Sequence, residues 1–330
     1  MGQDPPRARP PLADEPSPAD PNSTSTSAFT PAASNPATAP EDPSALFLDA
    51  AQSAAYAAHR PTYPKSMYDA IYAAAVPNRQ PPFNDLAVVD VATGSGQALG
   101  PMPADFGTCY ALDVSEAQLG ALALPPELRQ RVTLRQGDAH ATGLPDASVD
   151  LVTVGQALHW FRLDEFYREC RRVLRPNGVL AAWTYDFGRL SGCEGAQQLY
   201  EQFHSGTLAP YWASGRRLVD AEYVGIEPGP QHFEETRRVQ LPLPTSLTLD
   251  QLEGQIRSWS GYHSYLKANP DKPDPLVGLR QSFSDRLAIL GGAAAAGAAA
   301  TAVKATEVPL PRLTLTRTLT LLLALRPRPL

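Results

Sequence analysis

A glycine-rich turn follows an apolar run in the first third of the chain. Residues 86–91 are apolar except for Asp90, and the turn reads Ala92-Thr93-Gly94-Ser95-Gly96-Gln97. Glycines at a strand-to-helix turn let a ligand approach the backbone closely, and the helix that follows would offer unpaired N–H groups to an anion. Because packing turns also use such glycines, other residues must support the turn before it indicates a ligand site.

Two aspartates stand where the next two apolar runs end. Asp113 closes the run over 108–112, and its acceptor-only carboxylate suits both hydroxyls of a ribose. Asp138 follows the run over 132–136 and is placed to accept from an adenine amine. Both a nicotinamide dinucleotide site and an S-adenosylmethionine site would use Asp113. A dinucleotide fingerprint needs a third glycine where this chain has Leu99, which disfavours the dinucleotide.

Other side chains could serve the reaction itself. His159 follows the apolar run over 149–155 and is the best candidate for a general base, although it could instead pack beside Trp160. Arg60 could grip a substrate carboxylate with its guanidinium, or it could pair with an acidic neighbour. Three aromatic side chains could wall a pocket or pack within a lid, namely Tyr56, Tyr63 and Trp259. No metal site is predicted, and the remaining histidines are interpreted as surface or packing residues: His140, His204, His232 and His263.

Composition limits the class of protein. The 330 residues carry 28 Lys+Arg and 34 Asp+Glu, and the formal net charge of −6 argues against a nucleic-acid partner. Three cysteines without CxxC spacing favour a reducing compartment, and we expect a cytoplasmic protein. No apolar run reaches the roughly 20 residues that a membrane-spanning helix needs, so no membrane partner is expected. Residues 1–44 are rich in Pro, Ser and Ala and are predicted to form a disordered tail.

Apolar runs alternate with amphipathic segments through the first half of the chain. Strands are predicted over 86–91, 108–112, 132–136, 149–155 and 178–183, and helices over 45–59, 66–75, 116–124 and 163–174. This alternation is typical of βαβ units and predicts an α/β doubly wound sheet. Later helices are predicted over 193–204, 249–265 and 274–290, with a strand over 232–243. The period-two pattern of 313–320 predicts an antiparallel strand at the sheet edge.

Taken together, these motifs resemble those of the class I S-adenosylmethionine-dependent methyltransferases, in the family's order over about residues 45–330. Looser features resemble the small-molecule branch related to trans-aconitate methyltransferase (a methyltransferase type 11 domain): Tyr56-x-x-x-Arg60-Pro61-x-Tyr63-Pro64, Gln156 to Phe161, and Ser258-Trp259-Ser260. The resemblance implies a Rossmann-like, mostly parallel sheet of seven strands, the last antiparallel, with helical lid elements. It also implies S-adenosyl-L-methionine as the cofactor, contacted by Asp90, Ala92, Thr93, Gly94, Gly96, Gln97, Asp113, Asp138, Ala139 and Gln156.

The predicted organisation is a tail over 1–44 and a methyltransferase domain over 45–330. Within that domain we expect a cofactor-binding core over 45–190, a helical lid and substrate region with an Ala-rich insertion over 191–305, and a final edge strand over 306–330. Two features depart from the family. Ala92 stands where the family usually has glycine, and Pro101 and Pro103 fall where the first helix belongs. Since proline breaks helices, that helix is predicted to be short or to start late.

The predicted function is methyl transfer to a small-molecule acceptor by in-line displacement, and a carboxylate is the favoured acceptor. His159 is the predicted catalytic residue, and the predicted substrate contacts are Tyr56, Arg60, Tyr63, Trp160 and Trp259. One alternative is a degenerate member of the family that serves as an interaction protein. A less favoured alternative is an NAD-dependent oxidoreductase. We expect a monomer or a weak dimer.

Overall fold

Five parallel strands form the centre of a mixed sheet. The computed structural model describes residues 62–298 and 311–330, so the predictions for 1–61, including Tyr56 and Arg60, lie outside the described residues. The strands lie in the spatial order β3-β2-β1-β4-β5. Their bounds are Phe83–Val91 for β1, Phe106–Asp113 for β2, Val132–Gln136 for β3, Val149–Gly155 for β4 and Leu174–Tyr185 for β5. Each strand is more apolar than its neighbouring loops because helices cover both faces of such a sheet.

Antiparallel strands complete the far side of the sheet. The last strand, β8 (Leu313–Pro327), pairs through residues 319–325 with β5 and through residues 314–316 with the short β6 (Arg189–Ser191). Strand β7 (Phe233–Leu247) runs antiparallel along the whole of β8. Because a strand has only two edges, β5 and β6 share one edge of β8 and β7 takes the other. The sheet therefore has eight strands in seven positions, one short strand more than the expected seven. The last strand is antiparallel as predicted, but the prediction that it forms the sheet edge is wrong, because β7 pairs along its outer side.

Helices pack on both faces of the sheet, as a doubly wound fold requires. On one face, α1 (Lys65–Ala75) buries Met67 and Ile71 against Val88 and Trp183. Other helices pack on the opposite face or close the ends of the strands: α3 (Glu116–Gly120), α4 (Pro126–Arg129) and α5 (Leu163–Val173). Helix α5 buries Phe166, Cys170 and Val173, whose spacing of four and three residues places them on one side of a helix. The predicted α/β doubly wound fold is confirmed.

The segment after β1 is the main local departure from the expected fold. Helix α2 (Met102–Asp105) has only 4 residues, which confirms the prediction that Pro101 and Pro103 shorten it. Between Thr93 and Met102 the chain turns through i→i+3 bonds, with Gly96 N donating to Thr93 O at 2.9 Å and Met102 N to Leu99 O at 2.9 Å. The expectation that a helix N-terminus at this loop offers free N–H groups is wrong, because the prolines prevent the helix from starting there.

Helices from the second half of the chain form a third apolar cluster beside the sheet. They are α6 (Ala196–Glu201), α8 (Leu249–Arg257), α9 (Ser260–Ala268) and α10 (Pro275–Ala298), and a π-helical turn, Gln202–Thr207, continues α6. The short α7 (Arg216–Asp220) instead buries Val219 in the apolar cluster that also holds Phe166 of α5. The single helix predicted over 249–265 is wrong, since the chain is extended at Trp259 between α8 and α9. No described helix has the length and apolar character needed to cross a membrane. This cluster supplies the expected helical lid elements.

Candidate active site

A cavity of about 460 Å³ lies at the carboxyl ends of β1, β2, β3 and β4. In a parallel sheet these ends meet along one edge, so the residues that follow the strands converge even though they are far apart in sequence. Seven predicted site residues line the cavity: Ala92, Gly94, Asp113, Asp138, Ala139, Gln156 and Trp160. The structure thus brings together most of the residues that the strand ends predicted.

Backbone conformation at this edge leaves room for a ligand. An ideal Cβ built on Gly94 would have only Gln118 Oε1 within 4 Å, at 3.9 Å, so a side chain there would project into the cavity. Ala92 and Gln156 also line the cavity and have φ of 54° and 58°, in the left-handed region that non-glycine residues rarely adopt. Such strained residues concentrate at functional sites, where the surrounding structure enforces them.

Asp113 connects the glycine turn to the end of β2. Its Oδ2 accepts from the Gly94 N–H at 2.8 Å, and its Oδ1 accepts from the Ser115 N–H at 2.9 Å. Burial raises the pKa of this carboxyl above its ordinary value, against the opposing effect of the two N–H donors. A carboxylate offers about four acceptor positions, so two remain for a ligand's hydroxyls. This geometry suits the predicted contact with a ribose.

Apolar side chains flank the same cavity on the side of β3. Val114 lines it and is 51% exposed, which is unusual for a large apolar residue directly after a strand. Phe161 and Ala139 also line the cavity, so a flat ring could lie between apolar surfaces. Asp138, predicted to accept from an adenine amine, already binds His140 through Oδ1, at 2.8 Å from the backbone N and 2.5 Å from Nδ1.

The other predicted cofactor residues lie outside the lining of this cavity. Asp90 is fully buried, its Oδ1 accepts from Thr153 Oγ1 at 2.7 Å, and burial raises its pKa to about 6. Thr93 and Gly96 are buried within the turn, and Gln97 bonds Ser95 and faces a separate pocket. These residues lie within or next to the loop without lining the cavity, and their contacts with a cofactor stay predictions.

A second, smaller cavity of about 90 Å³ adjoins the first. Gln156 and Trp160 line both cavities, and Gln156 Nε2 is buried without a hydrogen-bond partner among the described residues. His159 lines the smaller cavity, with Nδ1 3.0 Å from the Tyr223 hydroxyl and its ring 4.8 Å from that of Trp160. His159 thus packs beside Trp160 and lines the smaller cavity, and its role as a general base stays a prediction.

Aromatic side chains enclose the smaller cavity from the side of the lid. Trp259 lines it as predicted, whereas Tyr63 contacts Trp183 and lines a different pocket. The other aromatic walls are Tyr185, Phe187, Tyr200, His204 and Trp212. Burial, together with the charge of Arg216, lowers the pKa of His204 to about 3, so its ring is neutral at physiological pH. Its Nε2 is buried and has no hydrogen-bond partner within the described part of the chain. His204, interpreted from sequence as a surface or packing residue, is buried and packs against Phe187 and Trp212, and it also lines this pocket.

Two arginines that the sequence analysis did not single out also line the smaller cavity. Arg317, on β8, is 5% exposed, and its Nη2 donates to Gln255 Oε1 at 2.7 Å. Arg216, on α7, is ion-paired with Asp220 at 2.7 Å and lies 5.0 Å from the ring centroid of Trp212. Across residues 62–298 and 311–330, no three His, Cys, Asp or Glu side chains are grouped as metal ligands would be.

Comparison with known proteins gives one consistent result. Residues 89–182 match the family model described as "Methyltransferase domain". A protein of Dictyostelium discoideum that bears the name methyltransferase is 36% identical over 217 residues, covering 66% of this chain and 78% of the relative. A Saccharomyces cerevisiae protein described as a "probable S-adenosylmethionine-dependent methyltransferase" is 24% identical over 250 residues, covering 68% and 84%. A solved structure described as a type II methyltransferase, from Anaeromyxobacter dehalogenans, superposes with a TM-score of 0.60 at 28% identity, covering 81% and 97%.

Proposed function

This chain belongs to the class I methyltransferases that use S-adenosylmethionine, and we propose that it methylates a small molecule held in the smaller cavity. The observation that carries the proposal is the shared wall of the two cavities, formed by Gln156 and Trp160. A cofactor in the larger cavity and an acceptor in the smaller one would meet at this wall. The alternative of an NAD-dependent oxidoreductase is overturned by the family match.

The residues of the larger cavity fit the cofactor. Asp113 would hold the ribose hydroxyls, Gly94 leaves the space that a side chain would fill, and Val114 and Phe161 would flank the adenine. The cofactor, when bound, supplies a methyl group on a positively charged sulfur that is a good leaving group. The protein's own part is then mainly to orient the acceptor and to exclude water.

The aromatic side chains of the smaller cavity would exclude water from it. Trp160 and Trp259 are among its walls, and its volume of about 90 Å³ is roughly a fifth of the 460 Å³ of the larger cavity. Of the other predicted substrate residues, Tyr63 lies elsewhere and Tyr56 and Arg60 lie outside the described residues. The acceptor is therefore proposed to be a compact molecule, or one that inserts only a small functional group.

The nucleophile decides whether a base is needed. A hydroxyl must lose a proton, and His159 would accept it while the Tyr223 hydroxyl holds the other ring nitrogen. A carboxylate already carries its negative charge and needs no base. We favour a carboxylate because the cavity wall presents nitrogen atoms without partners among the described residues, at Gln156 and His204.

Two measurements test the proposal. Calorimetry with S-adenosylhomocysteine and, separately, with NAD should show binding of the first alone. A screen of small metabolites with methyl-labelled S-adenosylmethionine should then yield a labelled product whose structure identifies the acceptor. Failure to bind S-adenosylhomocysteine would instead support the degenerate interaction protein, which the shortened helix α2 motivates.

A further inference from the structure

Arg317 is a buried cation on the wall of the smaller cavity. Its side chain is 5% exposed, and its Nη1 has no hydrogen-bond partner among the described residues. The same part of the chain offers it no carboxylate within ion-pair distance. Asp186 also lines the cavity; burial raises the pKa of its carboxyl, its Oδ1 accepts from the Thr318 N–H at 2.8 Å, and the charge of Arg317 acts on it only from beyond ion-pair distance. An arginine remains charged at every physiological pH, so it cannot escape this environment by losing a proton.

A buried charge without a partner is unfavourable, because burial removes its hydration and nothing replaces it. The residues around Arg317 nevertheless hold it in one orientation. Gln255 Oε1 accepts from Nη2 at 2.7 Å, and the guanidinium carbon lies 5.3 Å from the ring centroid of Tyr185. These contacts fix one side of the guanidinium and leave Nη1 as an oriented donor. A charge kept at such a cost is typical of a binding site rather than of a packed core.

The atoms around Arg317 define the chemistry of the missing partner. Gln156 Nε2 and His204 Nε2 line the same cavity and also lack partners among the described residues. Arg216 adds a second guanidinium to the wall. An amide N–H and a guanidinium N–H can only donate, so the group that satisfies them must accept hydrogen bonds, and the positive charge of the guanidinium favours an acceptor with negative charge. A planar carboxylate matches the guanidinium fork, and a cavity of about 90 Å³ favours this small group.

We propose that Arg317 is the specificity-determining residue that binds a carboxylate of the methyl acceptor. This inference rests on the proposed function, since it assigns the smaller cavity to the acceptor. Arg317 would select the molecule by its charge, whichever oxygen then receives the methyl group. Arg317 lies on β8, which is paired with β7 on one side and with β5 and β6 on the other, so substrate choice would depend on the sheet as well as on the lid.

The test is calorimetry on the full-length protein saturated with S-adenosylhomocysteine. Acetate, malonate and succinate are titrated against their uncharged amides, and inorganic phosphate is titrated separately. We expect at least one carboxylate to bind about tenfold or more tightly than its amide. Arg317→Gln should abolish this preference, and Arg317→Lys should weaken carboxylate binding about tenfold or more, because a point charge cannot reproduce the fork. Arg326→Gln is the matched control, since Arg326 lies on the same strand, is exposed and pairs with Glu234.

A stability measurement separates a binding role from a structural one. Arg317→Met should unfold at about the same temperature as the wild type, because removing a buried charge that has no ion pair among the described residues offsets the loss of its hydrogen bond to Gln255. A structural arginine would give a less stable variant that still prefers carboxylates, and that result would overturn the proposal. Equal binding of acids and amides by the wild type, or tighter binding of phosphate than of every carboxylate, would also overturn it. If S-adenosylhomocysteine itself fails to bind, the proposed function fails instead.

Discussion

Asp113 provides the sharpest test of the cofactor site. Its carboxylate both holds the loop and is assigned to the ribose, and two substitutions affect these roles to different degrees. Its carboxylate accepts from the Gly94 and Ser115 N–H groups, at 2.8 and 2.9 Å, and its remaining acceptor positions are assigned to the ribose. Hydrogen bonds to a charged group contribute about 1.5–3 kcal/mol. Asp113→Asn preserves the shape and loses the charge, so S-adenosylhomocysteine should bind about 10- to 150-fold more weakly.

Asp113→Ala should have a larger second effect, on stability, than the isosteric change, because asparagine keeps one oxygen for the two N–H groups and alanine keeps none. It leaves the N–H groups of Gly94 and Ser115 without their acceptor, and each such loss costs about 1–3 kcal/mol when the group is buried. We therefore expect Asp113→Ala to lower the free energy of unfolding as well as the affinity. Calorimetry gives the affinity and urea titration gives the stability, with the exposed Asp285→Asn as control. An Asp113→Asn dissociation constant within twofold of the wild type would refute the ribose assignment.

Three further changes probe the residues around this site. Ala92→Gly should raise the free energy of unfolding by about 1 kcal/mol in urea titration, because only glycine adopts a φ of 54° without strain; a loss of stability would contradict this. Asp90 has its pKa raised to about 6 by burial, so wild-type stability should fall by up to ~3 kcal/mol as pH rises from about 4 to 6. Asp90→Asn should lack this fall when the two are compared by thermal unfolding without cofactor. His159→Gln should lower turnover of a carboxylate acceptor by less than about tenfold, whereas a loss of roughly 10²–10⁴-fold would indicate a hydroxyl acceptor.

The strands of the sheet were largely predictable from sequence. Strands β3 and β4 begin and end at the predicted residues. For β4 the reason is that a strand buried on both faces has little tolerance for polar residues, whereas β3 is an exposed edge strand whose bounds are marked by the turn residues that flank it. The chain break between α8 and α9 was not predictable in the same way. Residues on both sides of Trp259 have helical periodicity, and the packing of Trp259 into the aromatic wall of the smaller cavity is a tertiary effect.

The two cavities also differ in how much of each could be predicted from the sequence. The larger one is built from residues that directly follow strands, so the predicted strand ends are enough to bring Ala92, Gly94 and Asp113 to one edge of the sheet. The smaller one also depends on helices packed beside the sheet, which bring His204 and Trp212 to the same wall as Trp160. No local sequence pattern predicts that these residues come together, since their proximity depends on how the lid packs onto the sheet.

Arg317 is the exception, because its role has a signal in the sequence. The segment 313–320 alternates apolar and polar residues, and this alternation predicted a half-buried strand. The same alternation places Arg317 in phase with Leu313, Leu315 and Leu319, all of which are buried, and out of phase with the polar threonines. A strand cannot turn one side chain to the opposite face without a bulge, so an arginine in the apolar phase must point inward. An inward charge needs a partner, and when the chain supplies none among the described residues, a ligand is the simplest source. A charged residue in the apolar phase of a strand therefore indicates a binding site.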